Sequence, residues 1–146
     1  MKPGIFFSRF LVSLLFAVVT LSVKSQNVEV FFSGIRSENG QMIIRIFKDD
    51  NSFQKEIPWM EKKFKKANIV NGIMSVKFSL EPGVYGFGLV DDENSDGEMN
   101  FTFIGMPKEG FGFSNYYHSG LSRPKFDSFK FTLIKNQKIY MKIRYM

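Results

Sequence analysis

Met74-Ser75-Val76-Lys77-Phe78-Ser79-Leu80-Glu81-Pro82-Gly83-Val84-Tyr85-Gly86-Phe87-Gly88-Leu89-Val90 holds the pattern that decides the fold. Met74, Val76, Phe78 and Leu80 alternate with Ser75, Lys77 and Ser79, so a strand here has one apolar face and one wet face. Asn71-Gly72 turns into it. Glu81-Pro82-Gly83 reverses the chain, because proline presets φ and glycine accepts the left-handed position, and Val84 to Val90 is expected to return beside its neighbour. Tyr85, Phe87 and Leu89 point one way, Gly86 and Gly88 the other; glycines inside a strand mark a close approach by another backbone or side chain.

The same period of two runs outward in both directions. Val28 to Ile35 and Gln41 to Phe47 are predicted strands joined by a hairpin at Ser37-Glu38-Asn39-Gly40, where Asn-Gly supplies positive φ angles. Phe129, Phe131 and Leu133 form another inward row. Ile139, Met141, Ile143 and Tyr145 form the last, with Asn136-Gln137 placed for a hairpin between the two. Asn51 to Val70 carries no alternation; Pro58-Trp59 followed by Met60 to Lys66 predicts a short helix or an excursion packed by Phe53, Trp59 and Phe64, with Trp59 plugging an end of the core. One or two further strands fall inside Phe101 to Phe126. The expected fold is all-β, an antiparallel two-sheet β-sandwich.

The first 25 residues are set aside: Lys2 and Arg9 precede an apolar run from Phe10 to Val23, which ends at Val23-Lys24-Ser25. This is the form of a secretory signal peptide, expected to be cut after Ser25, and the run falls short of the roughly 20 residues of a spanning helix. A single domain at 26–146 remains, large enough to bury a core without staples. Loss of Lys2, Arg9 and Lys24 lowers the formal charge from +6 to +3, so nucleic acid is not an expected partner. The absence of cysteine removes disulfides and a lipid-modified cysteine. The expected location is periplasmic or extracellular, with no membrane span after signal removal. Lys62, Lys63, Lys65 and Lys66 around Phe64 could dock on an anionic surface such as lipopolysaccharide or phospholipid headgroups, but are read first as the solvated face of a helical turn or loop.

Against this weakly basic background, five acids gather between Asp91 and Glu98. Counted from Asp92, oxygen side chains stand at the first, third, fifth and ninth positions (Asp92, Asn94, Asp96, Asn100), with Gly97 sixth and Glu98 seventh to offer its carbonyl. That is the spacing by which one segment wraps calcium, a hard cation that takes six to eight oxygens. The twelfth position is Phe103, where such a loop has a bidentate glutamate. Closure then needs a carboxylate from elsewhere: Glu109 first, Asp91 second. The competing reading is an exposed Asn94-Ser95-Asp96-Gly97 turn whose acids stay hydrated.

Nothing else in the chain is organised for catalysis. His118 is the single histidine, no nucleophile elbow surrounds any serine, and one imidazole without cysteine is too little for zinc. Loop carboxylates could serve a glycosidase-like hydrolase, and alternating strands are also compatible with a small outer-membrane β-barrel, although strands near seven residues are short of the roughly ten that barrels use. Tyr116, Tyr117 and His118, in an aromatic and glycine-rich region, are candidates for a glycan or peptide platform.

Gly34-Ile35-Arg36-Ser37 with Gly40-Gln41, Leu80-Glu81-Pro82-Gly83-Val84-Tyr85, Asp92-Glu93-Asn94 through Gly97, and Ile104-Gly105-Met106-Pro107-Lys108-Glu109-Gly110-Phe111-Gly112-Phe113-Ser114-Asn115 together resemble DUF2141, a family of exported bacterial proteins of unknown function. The resemblance covers nearly all of 26–146 and implies a transthyretin-like or immunoglobulin-like β-sandwich without an established activity. This chain departs from the family in carrying Asp91 and Asn100 where histidine and aspartate are frequent. The sequence thus predicts an exported, non-catalytic module of the cell envelope, binding a glycan, peptide or protein and ordered by calcium.

Overall fold

In chain order the strands are β1 (Gln26–Ser33), β2 (Gln41–Phe47), β3 (Met60–Lys65), β4 (Ile73–Leu80), β5 (Gly83–Asp92), β6 (Gly110–Phe113), β7 (Phe131–Leu133) and β8 (Gln137–Lys142). A short helix α1 (Asp50–Gln54) follows β2, and a 3₁₀ turn spans Phe126–Ser128. The computed structural model describes residues 24–146, so the predicted signal peptide lies outside the described residues up to position 23.

The strands form two sheets packed face to face, as the alternation predicts. One is three-stranded, in the order β4-β1-β8; the other runs β3-β2-β5-β6, with β7 pairing β5. Neither is the closed ring of a barrel. Pairing is antiparallel except between β1 and β8, which run parallel with Val30 opposite Ile139. The inward rows meet as the period of two requires. Val28, Val30, Phe32, Met74, Ile139 and Met141 come from the smaller sheet, and Met42, Ile44, Ile46, Phe87, Leu89 and Leu133 from the larger, all within one core.

The larger sheet is also covered on its outer face. Phe47, Phe53, Phe126 and Phe129 form a second apolar cluster there, and helix α1 exists to deliver Phe53 to it. Asp49 caps that helix, its Oδ1 accepting the Ser52 N–H at 2.7 Å. Gly86 explains how the cluster sits so low: a Cβ at this position would lie 2.5 Å from Phe129 and 2.6 Å from Phe126.

Three predicted hairpins are instead corners between sheets. The chain passes from β1 in the smaller sheet to β2 in the larger, from β4 back to β5, and from β7 to β8. Alternation says that one face of each strand is buried, and turn residues say that the chain reverses; neither says whether the reversal pairs the strands or spans the roughly 10 Å between layers. The helix or excursion expected at Met60 to Lys66 is β3, an edge strand beside β2. Its alternation is hidden because Lys62 occupies the inward phase between Met60 and Phe64, laying its Nζ 5.2 Å from the centre of the Phe78 ring. Trp59 does not plug the core. It is 46% exposed, lies against Tyr85, and carries Lys48 Nζ over its face.

Candidate metal centre

The end of β5 divides two neighbouring aspartates between opposite faces of the sheet. Asp91 continues the inward row of Tyr85, Phe87 and Leu89, whereas Asp92 turns outward, and both are fully buried. The antiparallel register then brings in a third acid. Asp91 pairs with Gly110 on β6, so the next residues outward on the two strands, Asp92 and Glu109, stand opposite each other at the sheet's end. The loop between them folds back over this pair through positive φ at Ser95 (61°) and Gly97 (85°).

The result is a convergence of Asp92, Asp96 and Glu109, whose carboxylate oxygens all lie within 4.8 Å of one another. Asp92 is held from three sides: Oδ2 accepts from Gln41 Nε2 at 2.7 Å and the Gly97 N–H at 3.0 Å, and Oδ1 accepts the Asp96 N–H at 3.2 Å. Asp96 Oδ1 accepts the Glu98 N–H at 2.9 Å, and its Oδ2 receives the amides of Asn94 and Asn100, each at 2.9 Å. Glu109 is 5% exposed. Its Oε2 accepts the Asn100 N–H at 2.9 Å, while Oε1 is buried with no hydrogen-bond partner among the described residues.

These carboxylates differ in electrostatic state. Burial, reinforced by the negative charges of Asp92, Asp96 and Asp91, pushes the Glu109 carboxyl above its ordinary value, against the opposing pull of the Asn100 N–H. Asp96, exposed, is held below its ordinary value by the Glu98 N–H and then by the Asn100 amide. A cation among the three oxygens would remove the conflict at Glu109. Calcium–oxygen distances of about 2.3–2.6 Å put opposite ligands about 4.6–5.2 Å apart, so the separations present here suit that ion. Asn94 and Asn100 border the cluster, and a half-turn of either side-chain amide would present its oxygen. The Glu98 side chain is exposed and stands apart, beside Arg45, Glu56 and Glu61.

Asp91, the second candidate for closure, is committed elsewhere. Its Oδ1 is 2.5 Å from Lys66 Nζ in an ion pair with no exposed side-chain surface, and its Oδ2 accepts the Tyr145 hydroxyl at 2.5 Å. Lys66 also donates to the Ser37 carbonyl at 2.8 Å. Burial, then the hydrogen bond to Asp91, raises the Tyr145 phenol well above its ordinary range, keeping it a donor. Arg36 lies over the Tyr145 ring and makes a two-pronged bridge to Glu93 at 3.0 and 2.7 Å. Lys66, expected among solvated lysines, and Gln41 thus have partners that no local pattern announces, because those partners are some 25 and 51 residues further along the chain.

Tyr116 and His118 stand together, their ring centres 6.0 Å apart. Tyr116 packs on the outer phenylalanine cluster, and His118 lies edge-on to Phe113 with Nε2 2.5 Å from the Ser122 carbonyl. Tyr117, half exposed, lies beneath Lys142 Nζ. The concave surface in this region is a groove of about 320 Å³ on the outer face of the larger sheet. Met99, Phe101, Phe111, Leu121 and Met146 are among its lining residues.

Residues 30–141 match the model of a family described as an uncharacterized protein conserved in bacteria, DUF2141. No curated protein and no solved structure matches the chain.

Proposed function

This chain belongs to the DUF2141 family, and we propose that it serves as a non-catalytic binding module of the cell envelope, its β5–β6 loop ordered by one structural calcium ion. Asp92, Asp96 and Glu109 hold the ion, with Asn94 and Asn100 as amide ligands and the Glu98 carbonyl as a further oxygen. The observation that carries this reading is Glu109 Oε1: a buried carboxylate oxygen without a donor, facing two more acids within 4.8 Å. Such an atom costs about 1–3 kcal/mol or more unless a cation or proton compensates it. The dense hydrogen bonding of Asp92 and Asp96 supports a structural role, since a general acid or base must be free to exchange its proton.

Thermal unfolding of residues 26–146 in calcium and in chelator tests the reading. A site of about 10⁻⁴ to 10⁻³ M affinity, at about 10 mM calcium, stabilises the fold by about 1.4–2.7 kcal/mol, a rise of several degrees in Tm. An unchanged Tm overturns the site.

A further inference from the structure

We propose that the segment Asn100–Lys108 is a membrane-docking finger, which inserts Phe103 and Ile104 into the surface of an anionic phospholipid bilayer when calcium fills the cage at its base. The proposal deepens the calcium reading and rests on it.

The finger is a small preformed hairpin. Thr102 N–H donates to the Met106 carbonyl at 2.8 Å, Gly105 N–H to the Thr102 carbonyl at 2.9 Å, and Lys108 N–H to the Asn100 carbonyl at 2.9 Å, with Phe101 bridged to Pro107. The Thr102 hydroxyl accepts the Met106 N–H at 3.1 Å, and Gly105 takes the positive φ the turn requires. At the tip stand the two residues between Thr102 and Gly105: Phe103 is 102% exposed and Ile104 70%. Phe101, Leu121 and Met146, all at the groove beside the finger, are also exposed. A hydrogen-bonded turn that holds a phenylalanine fully and an isoleucine mostly in water fits a partner that will surround them.

The shape of the tip favours lipid as that partner. A stable protein interface covers about 800 Å² per side with a matched surface, whereas two adjacent side chains at a narrow turn present far less. Fluid hydrocarbon needs no matching pocket, and aromatic and aliphatic residues at the headgroup boundary are the usual anchors of surface-bound proteins.

Charge supplies the dependence on calcium. The finger springs from Asn100, whose N–H is held by Glu109, so its base is the cage itself. Without the ion, Asp92, Asp96 and Glu109 oppose an anionic surface; the two positive charges of the ion cancel two of those three, and Lys108 on the finger offsets the third.

Sedimentation of residues 26–146 with lipid vesicles tests the proposal, using phosphatidylcholine alone and a mixture with about 30% phosphatidylglycerol, each in calcium and in chelator. Thermal unfolding in the same buffers runs alongside. The expected result is pelleting with the anionic vesicles in calcium, lost at least about tenfold in F103S/I104S, whose Tm and calcium response stay unchanged. Equal pelleting of that variant and the parent overturns the proposal. So does a normal calcium response in the melt without tip-dependent pelleting, which leaves the metal site standing. A melt blind to calcium overturns the metal reading and the calcium dependence together. Retention by whole envelopes but not by pure phospholipid places the partner outside the lipid and also overturns it.

Discussion

Glu109 reaches the cluster by strand register, not by loop spacing, and its two oxygens live in different worlds: one takes the Asn100 N–H, the other has no donor. Replacing it with glutamine separates the proposed calcium binding from the fold. E109Q keeps the shape, removes the buried charge, and supplies an amide donor to Asp92 or Asp96. Its Tm without calcium is expected to equal or exceed that of the parent, while the calcium-induced rise disappears; a retained rise would place the ion elsewhere. Much of this site was legible at the residue scale. The run from Asp92 to Asn100 offers oxygens at calcium spacing, and Phe103 at the twelfth position forces the search for an outside carboxylate. Nothing local revealed that Asp91 would be consumed by Lys66, because that pairing joins strands two apart in the sheet.

At the scale of elements, period-two alternation located six of the eight strands among the described residues, and glycine placement on β5 anticipated a close approach. Gly86 is where that approach is tightest. G86A would drive a methyl group into the rings of Phe126 and Phe129, neither free to retreat inside a buried cluster. A loss of about 1–3 kcal/mol is expected, read as a lower urea midpoint at constant slope. A neutral result would mean that the outer cluster is loosely packed. The elements that escaped the sequence did so for a common reason. Strand β3 has a lysine where an apolar residue would complete the pattern, and the corners carry the same asparagine, glycine and proline residues that hairpins use. Gly40 illustrates such a corner: at φ +79° it passes over β5 so closely that a Cβ would lie 1.9 Å from the Asp92 carbonyl oxygen.

For the whole molecule, the buried ionic network ties the two layers together at one end. Lys66 follows β3 and Asp91 ends the inward row of β5, both in the larger sheet; Tyr145 and Arg36 follow β8 and β1 of the smaller. Removing one charge leaves the other stranded in the interior, so K66M is expected to cost about 3–5 kcal/mol, with more than half of that recovered in K66M/D91L. A double variant whose loss equals the sum of the K66M and D91L losses, measured by chemical denaturation, would show that the pair is not coupled. The smaller sheet imposes a further condition on how this protein can be made. Its central strand β1 receives its second neighbour from β8, and Asn27 N–H bonds Asn136 Oδ1 across 109 positions. A nascent chain emerging from its amino end therefore carries β1 with one side bare until β8 has been synthesised. Closure of the smaller sheet waits for β8 and is slowed by the length of the loop between the two strands, so until then the bare edge of β1 is open to wrong partners.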